Sequence, residues 1–277
     1  MATSVRSLVI DTIVCDLLPE SKSPFSIQKG DSFMNNHIDN NVPRTGCHDM
    51  WNAFMLKDAE FVIGSDIPVC HSTKDIIPRE LISYEDAKHI YKTKLNNEPD
   101  FFVDAFVHFY IDDQKFDGPR DGIWNNPHKA LDIIRHFAGA ITPDFSTNAD
   151  FPDAIKRYNT FRMRAFGHWL VSNNITVINN ARWGTFETWD YCFDGIPLNS
   201  IISIGTVASG LHKLENRPLF EDGLRRLIEV VHPTIIIIYG SSKHSIFDEL
   251  RKHKIKIISF PSKTSLAFNK RKEVNHE

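Results

Sequence analysis

The sequence is short of the features that most readily assign a chain to a class. It has four cysteines (Cys15, Cys47, Cys70 and Cys192) in 277 residues, and no two of them form a C-x-x-C pair. That leaves no disulfide framework or zinc ribbon to read, and it points to a reduced, intracellular protein. No apolar run approaches the roughly 18 residues of a membrane helix. Asp11 and Asp16 break the apolar N-terminal stretch, which makes it a poor signal peptide. A cytoplasmic protein without a membrane partner is the expectation. There is no basic excess either: the net charge is −3 and the pI about 6.5. No global field draws the chain onto nucleic acid, although a local patch could still hold one.

The usual sequence signatures of cofactor and nucleophile sites are absent as well. No strand leads into G-x-G-x-x-G or G-K-[ST], which weakens a dinucleotide or P-loop reading, and there is no G-x-S-x-G elbow. The dipeptides Cys47-His48 and Cys70-His71 do not have a zinc-ligand spacing.

What is present is alternation. Residues 1–45 are polar and rich in Pro, Gly, Asn and Ser, and read as an irregular extension: a loose tail, a lid or a partner-binding arm. Residues 46–268 read as one α/β domain, and residues 269–277 as a basic tail. Seven apolar runs qualify as strands: IPVC (67–70), VDAFVHFYIDD (103–113), GAITPDFS (139–146), ITVINNARWG (175–184), SIISIGTVAS (200–209), TIIIIYGSS (234–242) and IKIISF (255–260). Six helical patterns lie between them. Ser83 with Asp86 makes a capping-box-like start, Asn126 and Pro127 suit an N-cap and first turn, and Pro152 opens a long helix. A short helix runs from about Thr185 to Gly195; residues 217–231 carry one apolar stripe, and Ser245 and Asp248 cap the last helix.

Strands that alternate with helices and are apolar on both faces imply a covered parallel sheet. The expected fold is a (β/α) TIM-like barrel of seven or eight strands, with an open doubly wound sheet as the alternative.

In either closure the site forms at the carboxyl ends of the strands. Those ends carry Asp112, Asp113 and Asp117; Asp144 and Ser146; Asn179, Asn180, Arg182 and Trp183; Thr206 and Ser209; Tyr239, Ser241 and Ser242; and Ser262 with Lys263. Strand alternation lets only one of Asp112 and Asp113, and one of Asn179 and Asn180, face the mouth. Asp144 is the leading acid–base or nucleophile candidate, and Asp112 or Asp113 would complete a carboxylate pair. Arg182 suits a phosphate or carboxylate and Trp183 a stacking face. Asn179, Asn180, Ser146, Thr206, Tyr239 and Ser241 complete the substrate-binding set. No cofactor is certain; Mg²⁺ or Mn²⁺ on Asp112 or Asp113 with Asp144 is the metal candidate. Of Arg162 and Arg164, two apart on one helix, one is expected exposed and the other paired with an acid or a phosphate. Each candidate also has an ordinary structural use, as a cap, a turn or a solvated charge.

The segments YIDDQKFDG, WNNP, FAGAITPDFS, RYNTFRMRAFGHWL, VINNARWGTFETWDYCFDGIP, SIGTVASG and IIIYGS together resemble an uncharacterised family of phage, prophage and mobile-element proteins known as a domain of unknown function. The resemblance spans residues 47–268 and implies a phage setting but no mechanism. The order Asp144, NNARWG, IGTVAS is also weakly similar to the strand ends of nucleobase-transglycosylase barrels. The chain departs from those barrels in lacking their zinc-binding cysteines and in having Asn179 and Asn180 in place of a Gln-Gly loop. From these readings we expect a cytosolic enzyme acting on a nucleotide, nucleoside or nucleic-acid component, by N-glycosidic cleavage or base exchange, in the hydrolase or transglycosylase class. The alternatives are a non-catalytic nucleotide- or protein-binding protein engaging a host or phage partner, and an accessory protein of DNA replication or mobility.

Overall fold

In the computed structural model, residues 49, 51–72, 76–207, 209–211 and 213–267 are described. The N-terminal extension, Cys47-His48 and the basic tail lie outside them. Seven strands form one sheet in the order of the chain: β1 (Leu81–Ser83), β2 (Val103–His108), β3 (Phe137–Ile141), β4 (Val177–Asn180), β5 (Ile201–Gly205), β6 (Ile235–Tyr239) and β7 (Lys256–Phe260). Every pairing is parallel. Five α-helices cross between them: α1 (Tyr84–Lys94), α2 (Pro127–Ile134), α3 (Asp153–Ser172), α4 (Arg217–Val231) and α5 (Ser245–Lys252).

The sheet curls into a half-barrel. Side chains from all seven strands meet on its concave side, among them Leu81, Phe106, Ile141, Ile178, Ile201, Ile237 and Phe260. Tyr239 on β6 lies 4.2 Å, ring to ring, from His108 on β2. No ladder joins β1 to β7 among the described residues. The sequential order contains no reversal, so the doubly wound alternative, which needs a switch point, is not the fold.

The convex side is covered by helices in two clusters. Val107, Ala140 and Val177 pack with Leu131, Phe166 and Leu170. Ile202, Ile204, Ile236 and Ile238 pack with Leu224, Leu227 and Phe247. A strand covered on both faces has no polar side to present, hence the isoleucine run of β6.

Several sequence expectations need correction. Residues 67–70 are not a sheet strand; Pro68 makes only an isolated antiparallel bridge to Phe61. The first strand is instead the three residues before α1. The second strand stops at His108, so Asp112 and Asp113 stand in the loop beyond it. The segment after Thr185 is a 3₁₀ turn, Phe186–Asp190. His244, not Ser245, caps α5, its side chain accepting from the Ile246 amide. Asn126 holds the N-cap position of α2 without a side-chain cap and donates to the Arg120 carbonyl instead. The Ser83 cap of α1 forms as expected, accepting from the Asp86 amide at 3.2 Å. Among the described residues no helix is long and apolar enough to cross a membrane.

Candidate functional site

Strand β3 runs into Thr142, Pro143 and Asp144, and β4 into Ala181 and Arg182. The two strand ends are neighbours in the sheet. The parity of the strand sends Asn179 and Asn180 to opposite faces. Asn180 points inward and donates from Nδ2 to Asp144 Oδ1 at 2.8 Å. Asn179 faces the convex layer, where it donates to the Cys70 carbonyl at 2.9 Å. Arg182 donates from Nη1 to the other Asp144 oxygen at 2.7 Å. Both oxygens of one buried carboxylate are therefore fixed in place. Burial pushes the Asp144 carboxyl above its ordinary value, against the lowering pull of Arg182 and Asn180, and Asp113 adds to the rise.

The Asn180 amide is itself oriented. Its Oδ1 lies 3.1 Å from the Tyr110 hydroxyl, which also meets Ser203 Oγ at 2.8 Å. With Oδ1 occupied by a hydroxyl donor, Nδ2 is turned to the carboxylate. Tyr110 reaches this position because Gly205, across the sheet, has no side chain to occupy the space of its ring.

Asp144 and Arg182 open onto a cavity of about 210 Å³, walled by Trp183, Ile204, Leu219 and Phe220 on its apolar side and by Thr147, Ser209 and Asn216 on its polar side. Trp183 is held by a bond from Nε1 to the Leu219 carbonyl at 3.3 Å and by contact with Phe220.

The remaining predicted residues lie elsewhere. Asp112 caps the 3₁₀ turn Asp113–Lys115. Asp113 accepts from the Ser146 amide at 3.1 Å and from Ser146 Oγ at 3.0 Å, so these two residues are occupied with each other. Neither aspartate lines the cavity. Thr206 Oγ1 bonds the Ser241 carbonyl at 3.2 Å, Ser241 Oγ accepts from the Lys243 amide, and Tyr239 sits inside the half-barrel. Asp144, Asn180, Arg182, Trp183 and Ser209 are the predicted residues the fold brings together. Among the described residues no group of three or more His, Cys, Asp or Glu side chains is arranged to hold a metal ion. A guanidinium on one Asp144 oxygen and an amide on the other leave that carboxylate a poor fit to the metal candidate.

Neither Arg162 nor Arg164 of α3 is exposed. Arg162 pairs with Asp117 at 2.8 Å and lies over the Phe145 ring, while Arg164 is fully buried. Arg164 donates to the carbonyls of Asp194, Asn180 and Cys192 at 2.9, 3.0 and 3.2 Å, tying the end of β4 to the turn that follows. Sequence reasoning missed Tyr110, Thr147, Asn216 and Phe220. Tyr110 could have been found, since it keeps the inward parity of Phe106 and His108; the others carry no signal of their own.

Two relatives come from mycobacterial viruses. The "Gene 1 protein" of Mycobacterium phage L5 is 32% identical over 179 residues, which is 65% of this chain and 72% of that protein. The "Gene 1 protein" of Mycobacterium phage D29 is 33% identical over 138 residues, 50% of this chain and 49% of that protein, so the match spans about half the length of this second relative. No solved structure matches the chain. The family described as "Domain of unknown function (DUF4417)" matches residues 59–261, a span that contains all seven strands and the whole cavity, and the chain belongs to that family.

Proposed function

We propose that this phage-family chain is an enzyme acting on a nucleotide, nucleoside or nucleic-acid component, with Asp144 as the reacting carboxylate. One observation carries the reading: a buried aspartate whose carboxyl burial holds above its ordinary value, both oxygens fixed, on the wall of a small cavity at the carboxyl ends of parallel strands. The analogy to barrel enzymes, whose sites occupy that end, supports it as analogy only.

Cleavage or exchange at an N-glycosidic bond suits the residues best. As the base departs with the bonding pair and takes up a proton from solvent, positive charge develops at the sugar carbon. Asp144 faces that charge, and water or an incoming base then bonds to the carbon and releases a proton to solvent. The Trp183 and Phe220 wall offers the departing base an apolar face. Asp112 and Asp113 are engaged away from the cavity, so the reaction rests on one carboxylate.

A second reading, binding without catalysis, is favoured by the closed Asp144–Arg182 pair, because a carboxylate with both oxygens engaged serves recognition as well as reaction. A host or phage protein partner belongs to this reading. Accessory action on DNA would rest on a local patch and would declare itself as steeply salt-dependent binding.

The test incubates the full chain with nucleosides, nucleotides and DNA, with and without Mg²⁺ or Mn²⁺, and follows products by mass spectrometry. Asp144→Asn is expected to lower turnover at least about 100-fold. A nucleotide retained by the native protein without any product would favour the binding reading. Product formation undiminished in Asp144→Asn would end the proposal.

A further inference from the structure

The ligand class of the Asp144 cavity follows from what Arg182 leaves unused, an inference that rests on reading that cavity as the ligand site. Arg182 lines the cavity, and its side chain is 27% exposed against 11% for Asp144. Nη1 donates to Asp144 Oδ2 at 2.7 Å, while Nε and Nη2 have no acceptor among the described residues. Two other arginines close to these strand ends are spent differently. Arg164 donates from all three nitrogens to backbone carbonyls. Arg162 donates from Nη1 and Nη2, and its unpaired Nε is sealed in the interior. The unpaired nitrogens of Arg182 are not sealed in that way.

A guanidinium and a carboxylate frequently meet through two parallel bonds. Here Asn180 takes the second Asp144 oxygen at 2.8 Å, so the pair is joined at one point. Nε and Nη2 lie on one edge of the planar group, and their N–H bonds run parallel. Two oxygens of a phosphate fit such an edge, and their charge strengthens both bonds. The rest of the lining suits the remainder of a nucleotide. Trp183 and Phe220 offer an apolar face to a base, and Asn148 and Asn216 stand exposed with amides that both donate and accept.

We propose that the cavity takes a nucleotide whose phosphate monoester bonds the Nε and Nη2 edge of Arg182, while Nη1 remains on Asp144. One guanidinium then stands between two anions and holds both. The carboxylate and the phosphate still repel each other, so Asp144 weakens the binding of the same phosphate that Arg182 attracts.

Titration calorimetry with the full chain tests this, using adenosine, guanosine, cytidine and thymidine, their 5′-monophosphates, and inorganic phosphate. At least one monophosphate is expected to bind ten times tighter than its nucleoside, or more, the worth of hydrogen bonds to a charged group. Arg182→Lys keeps the charge and loses the edge, so the preference is expected to fall to threefold or less. Asp144→Asn removes the repulsion and is expected to tighten the monophosphate at least threefold while leaving the nucleoside nearly unchanged. If Arg182→Lys fails to fold, the native comparison and Asp144→Asn decide. A native preference below tenfold, a preference above threefold in Arg182→Lys, or no tightening in Asp144→Asn overturns the inference. So does inorganic phosphate bound as tightly as the monophosphate, which would mark a free-anion site. If nucleosides are turned over without a phosphate preference, and Asp144→Asn abolishes the turnover, the proposed function survives and this inference does not. If the monophosphate binds as expected and no product forms, this inference stands and the catalytic reading falls. If nothing binds and no product forms, both fall.

Discussion

Arg164 and Asp194 are two charges held in place by burial. A fully buried guanidinium that meets only backbone carbonyls keeps its charge without a direct carboxylate contact, and burial lowers it to about 10. Asp194 is the nearby carboxylate: its backbone carbonyl accepts from Arg164, and its Oδ2 is buried with no partner among the described residues. Burial pushes its carboxyl from the ordinary 3.8 to about 6, against lowering contributions from Ser65, Arg164 and Arg157. Between those two values the folded chain holds a proton that the unfolded chain has released, so this residue's contribution to stability falls as pH rises from about 4 to about 6. The loss is roughly 3 kcal/mol as an upper bound. Asp194→Asn cannot titrate. Urea unfolding of the two proteins across pH 4 to 7 is therefore expected to diverge in the variant's favour as pH rises. A constant difference across that range would mean that Asp194 is not held up by burial.

Trp183 illustrates how a site wall is built between elements. It leaves the end of β4 and lies against α4, where Gly223 leaves the space its indole occupies. A methyl group at 223 would overlap the ring. An exposed helical glycine replaced by alanine ordinarily stabilises by about 1 kcal/mol. Here the overpacking, about 1–3 kcal/mol, is expected to win, so Gly223→Ala should lower the unfolding free energy. A gain of the ordinary size would show that Trp183 moves aside freely. This contact also marks the limit of what the sequence could tell. The α4 stripe was legible because Phe220, Leu224, Leu227 and Val231 repeat at the helical period. So was the Ser83 cap, a local signal three residues long. The pairing of Trp183 with Gly223 joins residues forty apart and has no periodic trace. Strand β1 is too short, at three residues, to show a period at all. Residues 67–70 looked like a strand because composition was the only guide, and composition does not register which neighbour a segment meets. Asp144, Asn180, Arg182 and Trp183 were visible as polar residues at strand ends. That Asp113 would turn to Ser146, and Asn179 to Cys70, depends on tertiary neighbours.

At the scale of the whole molecule the question is what keeps the sheet curled when no ladder joins its first and last strands among the described residues. Besides the hydrogen bonds of Tyr110 to Asn180 and Ser203, two contacts bring the two halves of the sheet together. One is aromatic: Tyr239 stacks on Tyr110 with centroids 5.4 Å apart and lies 4.2 Å from the His108 ring. Burial holds His108 down to about 3, so at neutral pH it packs as an uncharged ring. The other is ionic: Lys263, just beyond β7, meets Asp86 of α1 at 2.5 Å with side chains 54% and 40% exposed. Solvent and side-chain entropy reduce such a surface pair to about 0–1 kcal/mol. Loss of a large buried aromatic side chain costs about 3–5 kcal/mol. The aromatic contact should therefore dominate. Tyr239→Ala is expected to destabilise by at least about 3 kcal/mol and Lys263→Ala by no more than about 1 kcal/mol, read from urea unfolding at low and high salt. The Lys263 effect should shrink further as salt rises, and the Tyr239 effect should not. The reverse ranking would mean that the sheet is held at its edges, with its interior merely filling the space they enclose.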